Sequence, residues 1–366
     1  MKLGKFCTGA ALVFLTACSD AGEGGGQLEG VNEGAAEASG EGNPQFLSIG
    51  MTYTIPSAVL GADRRITVRL PAEYANEPER AFPVVYVIDG GPEQDFPHIA
   101  GIAQSREVNF TFEPFILVGV ETENRRHEIT PTAVDPEAYT EMLGATPGGS
   151  SDFRRFLRED VMAWVNAQYR TNGADAVIGE SLAGLFIVET LLKDPTLFDD
   201  YVAVSPSLWW DGMRLDDEAP ADLAAMPPGD RRLYLTMGDE GYLMQGGLDG
   251  LIAALETGAP DDLGWTYVER KGSETHGSIY HVAALDAFRA FYLTAQRTGG
   301  ANPAMFPGGI VPPLTDEAKE SLEQPCVRER AVAVTFEEKN KDLERWAAMC
   351  LLMKPGAVPA AGNLTY

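Results

Sequence analysis

The residues best suited to chemistry in this chain of 366 stand in Val177-Ile178-Gly179-Glu180-Ser181-Leu182-Ala183-Gly184. A short apolar run ends at Ile178 and an apolar helical pattern opens at Leu182, so Ser181 sits on a sharp turn between strand and helix. A serine raised on such a turn presents its hydroxyl at the end of the strand, with the next backbone N–H beside it. That is an arrangement for nucleophilic attack on an acyl carbon, with the N–H of Leu182 aimed at the oxyanion that develops. Gly179 fits because the turn leaves no room for a side chain there. The small Ala183 lets the helix pack close to the strand, although it replaces the last glycine of G-x-S-x-G, with Gly184 following.

A serine hydroxyl is a weak nucleophile at neutral pH and needs a base. The chain has four histidines: His98, His127, His276 and His281. The turn resembles the nucleophile turn of α/β-hydrolases, and that resemblance implies the chain order nucleophile, acid, histidine, so that the base follows Ser181. His276, in the loop Glu274-Thr275-His276-Gly277-Ser278, is the expected base; His281, at the start of a helix, is expected to pack or cap. The acid should follow the run Leu233–Met237, where Asp239 and Glu240 stand. Asp239 is favoured and Glu240 is the alternative, since either carboxylate could fix the imidazole tautomer and stabilise the imidazolium. A second oxyanion donor is expected from Asp89-Gly90-Gly91-Pro92, after an early strand: Gly91 first, Gly90 next.

These groups need a scaffold that brings distant strand ends together. Alternating residues mark antiparallel strands at Met51–Pro56 and Arg65–Leu70. Unalternating apolar runs at Phe82–Ile88, Pro114–Val120, Ala176–Ile178, Tyr201–Val204 and Leu233–Met237 fit strands buried on both faces. Helical patterns fall at Phe153–Tyr169, Leu182–Leu192, Leu248–Leu255 and His281–Leu293, and a further strand-like run at Trp265–Lys271. Such alternation predicts an α/β fold, a mostly parallel sheet flanked by helices.

The chain ends read differently. Lys2 and Lys5 precede an apolar stretch, Phe6 to Ala17, too short to span a bilayer. Leu15-Thr16-Ala17-Cys18 resembles the lipobox of bacterial lipoproteins, which implies cleavage before Cys18, its acylation, and export to the periplasmic face or outer membrane of a Gram-negative bacterium. Residues 18–45 are rich in Gly, Glu and Ala and are expected to form a flexible acidic tether. The catalytic domain is expected over 46–298, followed by a helical extension over 299–366 in which Cys326 and Cys350 form the expected disulfide. Asp and Glu outnumber Lys and Arg by 54 to 28, a formal charge of -26, which argues against nucleic-acid binding because no basic stripe exists to neutralise phosphates.

Taken as an ordered set, several segments resemble the esterase family of α/β-hydrolases that includes esterase D and the siderophore (enterobactin-type) esterases. They are Val85-Tyr86-Val87-Ile88-Asp89-Gly90, Val118-Gly119-Val120 with Arg125-Arg126 and Thr130-Pro131, Phe156-Leu157 through Tyr169-Arg170, the turn at Gly179–Gly184, Ser205-Pro206-Ser207-Leu208-Trp209-Trp210 and His276-Gly277-Ser278. The resemblance covers roughly residues 48–295. It implies the α/β-hydrolase fold, carboxylic ester hydrolysis through an acyl-enzyme without metal or organic cofactor, and a small-molecule or glycan ester as substrate. It also implies a substrate site near Arg125, Arg126, Trp209 and Trp210. Two other readings stay open from sequence: an acyltransferase on the same fold, and a non-catalytic binding protein on a hydrolase scaffold.

Overall fold

The central strands of this chain are apolar over most or all of their length, because they are covered on both sides. In β3 (Phe82–Ile88), Val84, Tyr86 and Ile88 enter one hydrophobic core while Val85 and Val87 enter another. The alternation that is hidden in the sequence reappears as the division between two cores. The structure, a computed structural model, describes residues 47–292. The lipobox-like segment with Cys18, the acidic tether and the pair Cys326 and Cys350 lie outside the described residues.

The sheet has eight strands in the order β1-β2-β4-β3-β5-β6-β7-β8. β1 (Met51–Ser57) and β2 (Ala62–Arg69) form an antiparallel hairpin, and β2 pairs antiparallel with β4 (Ile116–Val120). From β4 onward every pairing is parallel, through β3, β5 (Thr171–Glu180), β6 (Asp200–Val204), β7 (Arg231–Met237) and β8 (Leu263–Glu269). The expected α/β fold is therefore observed. β5 is longer than its apolar run suggested, because its first half is largely exposed and polar.

Helices α1 (Glu73–Asn76) and α2 (Phe96–Asn109) flank β3 in sequence, and α3 (Arg125–Glu128) and α4 (Pro136–Leu143) follow β4. One long helix follows, α5 (Ser150–Phe156), a π-helical turn (Leu157–Met162) and α6 (Ala163–Gln168). Next come α7 (Leu182–Lys193), α8 (Trp210–Ala225), α9 (Tyr242–Gly258) and α10 (Ile279–Phe291). The buried residues of α2 and α10 line the smaller core, and those of α5, α7, α8 and α9 line the larger.

This division creates the site. β3 and β5 are neighbours, yet the helix after β3 covers one face of the sheet and the helix after β5 covers the other. Outside the carboxyl ends of such a pair the two connections diverge and leave a crevice, the usual binding position in open α/β sheets. Asp89 and Gly90 leave β3 at this point, and Ser181 follows β5.

Candidate active site

Ser181 has φ 62 and ψ -118, a conformation that side chains seldom adopt, and it stands as the N-cap of α7. The turn is fixed on both sides: its N–H donates to the Val204 carbonyl at 3.0 Å, and its carbonyl accepts from Leu185 N–H at 2.9 Å and Ser207 N–H at 3.1 Å. A Cβ on Gly179 would lie 2.6 Å from the Ala183 methyl, and one on Gly184 would lie 2.9 Å from the Val204 carbonyl oxygen. The small residues around the serine are thus the contact surface that lets α7 descend onto β5 and β6. Leu182 opens the helix, where a backbone N–H has no intrahelical acceptor. The Ser181 hydroxyl has the buried Ser207 hydroxyl 3.4 Å away.

His276 stands on the loop after β8, and its Nδ1 meets Glu240 Oε2 at 2.7 Å. The carboxylate that pairs with the imidazole is therefore Glu240, and the preference for Asp239 is corrected. Asp239 is exposed, and its backbone N–H donates to the Glu274 carbonyl at 2.8 Å, tying the acid loop to the histidine loop. That approach is close: a Cβ on Gly238 would stand 2.6 Å from the same carbonyl oxygen. The turn directs Asp239 to solvent and the next side chain, 2% exposed, inward. Glu240 Oε1 accepts from Ser205 Oγ and from Gly238 N–H, at 3.2 Å for the latter. Burial alone would push Glu240 up, but the hydrogen bonds from His276 and Ser205 hold it below the usual carboxylate range. The Glu240 hydrogen bond in turn raises His276 above an ordinary histidine, against the opposing effect of its burial. His281, in contrast, is exposed and stacks on His98 at 4.8 Å.

Of the expected oxyanion donors, Gly90 is corrected. Its N–H donates to the Val120 carbonyl at 2.8 Å as a continuation of the sheet, and the backbones of Gly90 and Gly119 meet where neither could carry a Cβ. Gly91 N–H points elsewhere, to Gln94 Oε1 at 3.0 Å, an acceptor that a side-chain rotation can withdraw. Asp89, at φ 57, accepts from Thr122 Oγ1 and from Arg125 Nε, the latter at 2.5 Å. Arg125 remains one-third exposed, beside Asp89 at the end of β3. Arg126 donates to the Leu143 carbonyl at 2.7 Å and so ties α3 to α4. Trp210 is corrected from a lining residue to a core residue: it is 1% exposed and packs on Tyr139 with ring centroids 4.5 Å apart. Trp209 is half-buried beside it. Ser205 and Ser207, which meet Glu240 and Ser181, stand in the Ser205-Pro206-Ser207 segment after β6, where the sequence alone singles out no catalytic role. Among the described residues no three of His, Cys, Asp and Glu are disposed to hold a metal ion.

A family model described as "Putative esterase" matches residues 57–260. The chain is similar to ferri-bacillibactin esterase BesA of Bacillus subtilis, 30% identical over 145 residues, which is 36% of this chain and half of that one. It is also similar to a siderophore enterobactin esterase of Emericella nidulans, 34% identical over 100 residues, 25% of this chain and 30% of that one. Among solved structures, an IroE-like serine hydrolase from Shewanella oneidensis superposes with a TM-score of 0.60 at 25% identity, over 66% of this chain and 80% of that one. The BES protein from Bacillus cereus shares the fold, with a TM-score of 0.60 at 23% identity over 69% of this chain and all of that one.

Proposed function

The chain belongs to the esterase family matched over residues 57–260, and from that premise we propose that it is a serine carboxylic-ester hydrolase working through an acyl-enzyme. The reading is carried by one observation: a strained Ser181 after β5 shares the sheet's carboxyl edge with a His276–Glu240 pair held at 2.7 Å. In this reading His276 takes the hydroxyl proton of Ser181 as the oxygen attacks the ester carbonyl, and Glu240 stabilises the imidazolium. The oxyanion is held by the N–H of Leu182 and by that of Gly91, once Gln94 withdraws its oxygen. Collapse breaks the ester C–O bond; His276 returns the proton to the departing alcohol and the acyl group stays on Ser181. Water then gives a proton to His276 as it attacks the acyl carbon; the bond from that carbon to Ser181 Oγ breaks, His276 returns the proton to Ser181, and the acid leaves.

The similarity to siderophore esterases supports siderophore-type esters as the substrate class, with Arg125 and Trp209 at the mouth of the crevice. The test is hydrolysis of short p-nitrophenyl esters and of catecholate siderophore lactones by wild type, Ser181→Ala and His276→Ala. Each variant is expected to lose roughly 10⁴–10⁶ in kcat. Activity that survives in Ser181→Ala overturns the assignment of the nucleophile.

A further inference from the structure

The residue directly before the nucleophile has no task in the reaction proposed above. Glu180 ends β5, half-buried at the crevice, and its Oε1 is sealed from solvent without a hydrogen-bond partner. A carboxyl oxygen sealed from water without a partner carries a desolvation cost, and a role at the site would account for its retention. Tyr280 on α10 is buried, and its hydroxyl is another partnerless atom. Two residues beyond Ile178 on β5, Glu180 lies on the sheet face of the smaller core, which Tyr280 also lines at the start of α10, directly after the loop that carries His276. The charged and titratable groups that interact with Glu180 there come from five other elements. They are His276 from the loop after β8, Glu240 from the turn after β7, Asp95 at the start of α2, Arg125 on α3 and Tyr280 on α10. Glu180 and His276 act on each other in both directions.

Resting on the esterase reading, we propose that Glu180 is a positioning residue that acts through His276, the charge on its carboxyl setting how readily the imidazole takes the proton of Ser181. Burial pushes the carboxyl up to about 7, helped by the negative charges of Asp95 and Glu240 and opposed by His276 and Arg125. Glu180 is thus lifted out of the ordinary carboxylate range towards that of histidines, and His276 is itself raised. While it is neutral, Glu240 alone governs the imidazole, and no second negative charge stands next to the oxyanion forming on the far side of Ser181. When it is ionised, the imidazolium has two carboxylate neighbours and holds its proton more tightly. Conversely, a proton arriving on His276 loosens the one on Glu180. Two groups coupled in this way titrate in shared steps rather than separately.

The test follows the His276 ring Cε1–H resonance against pH by NMR, assigned by its loss in His276→Asn, in wild type, Glu180→Gln and Glu180→Asp. Wild type is expected to titrate in two steps. Glu180→Gln is expected to give one step, moved to lower pH by on the order of half a unit, with Glu180→Asp restoring the second step. The acidic limb of kcat/KM should move the same way. A single step in wild type, or one with the same midpoint in wild type and Glu180→Gln, overturns the proposal. Where Glu180→Gln fails to fold, the wild-type titration decides alone. The resonance needs no turnover, so an inactive protein would count against the esterase reading and leave this readout intact.

Discussion

At the scale of single residues, the site turns on which of two neighbours faces inward. Asp239 or Glu240, Gly91 or Gly90: in each pair the sequence narrows the choice to two and stops, because no periodicity in a short loop tells which of two adjacent residues turns inward. Of Trp209 and Trp210, both expected at the substrate site, it does not tell which enters the core. The structure selects Glu240, leaves Gly91 with an N–H outside the sheet ladder, and buries Trp210. The first selection has a measurable consequence. Glu240 raises His276, so the protonated imidazole persists to higher pH than an ordinary histidine would allow, and in the proposed mechanism the acidic limb of kcat/KM is expected to lie correspondingly high. Glu240→Gln removes that charge and the tautomer control. The limb is expected to move to lower pH while kcat falls by roughly 10³–10⁴. Asp239→Asn should leave both within about twofold, as for an exposed side chain distant from the reacting atoms. Rate–pH profiles of the two variants check this, and the opposite ranking would return the acid's role to Asp239.

At the scale of elements, the active turn depends on how closely α7 approaches β5. Gly179 and Ala183 share one space, and a methyl added at Gly179 would lie 2.6 Å from the one already at Ala183. Gly179→Ala is therefore expected to cost about 1–3 kcal/mol of stability and to lower kcat/KM at least about 100-fold as the turn shifts. Moving the methyl rather than adding one, in Gly179→Ala/Ala183→Gly, should recover part of both losses. Denaturant melts and ester hydrolysis read the two quantities; a double variant no better than the single one would show that the packing argument is wrong. The sequence predicts the strands well because two covered faces leave unbroken apolar runs. Two helices carry a weaker signal in the sequence. In α2, Phe96, Ile99, Ala100 and Ala103 recur at helical spacing and are all buried, a signal present but obscured by Pro97 and by small residues. α8 is interrupted by left-handed backbone at Asp211, Gly212 and Met213 and contains Pro220, so no regular period runs through it.

At the scale of the whole molecule, the acidic excess has an internal counterpart. Burial raises Asp95 and Asp175 to about 6 and Glu180 and Asp216 to about 7. A carboxyl raised on folding keeps its proton where the unfolded chain has released it. Its contribution to stability is complete below the ordinary carboxylate value and is lost as pH rises through the raised one. Asp216 is the clean test, for it lies away from the site, with Oδ1 buried and partnerless and Gly250 packed against it. Asn mimics the neutral acid, so Asp216→Asn should melt near wild type at pH 5 and above it at pH 8. Thermal melts across that range check this, and parallel curves would rule it out. The strand order also bears on how the chain is made. β1 to β4 are complete once Val120 has left the ribosome, but the other edge of β3 belongs to β5, which starts at Thr171. For the time taken to add about fifty residues, several seconds at roughly 5–20 residues per second, the central strand of the future sheet waits with one edge open. The vulnerable period in the life of this protein is thus its synthesis, when a strand made to be covered on every side has not yet met its neighbour.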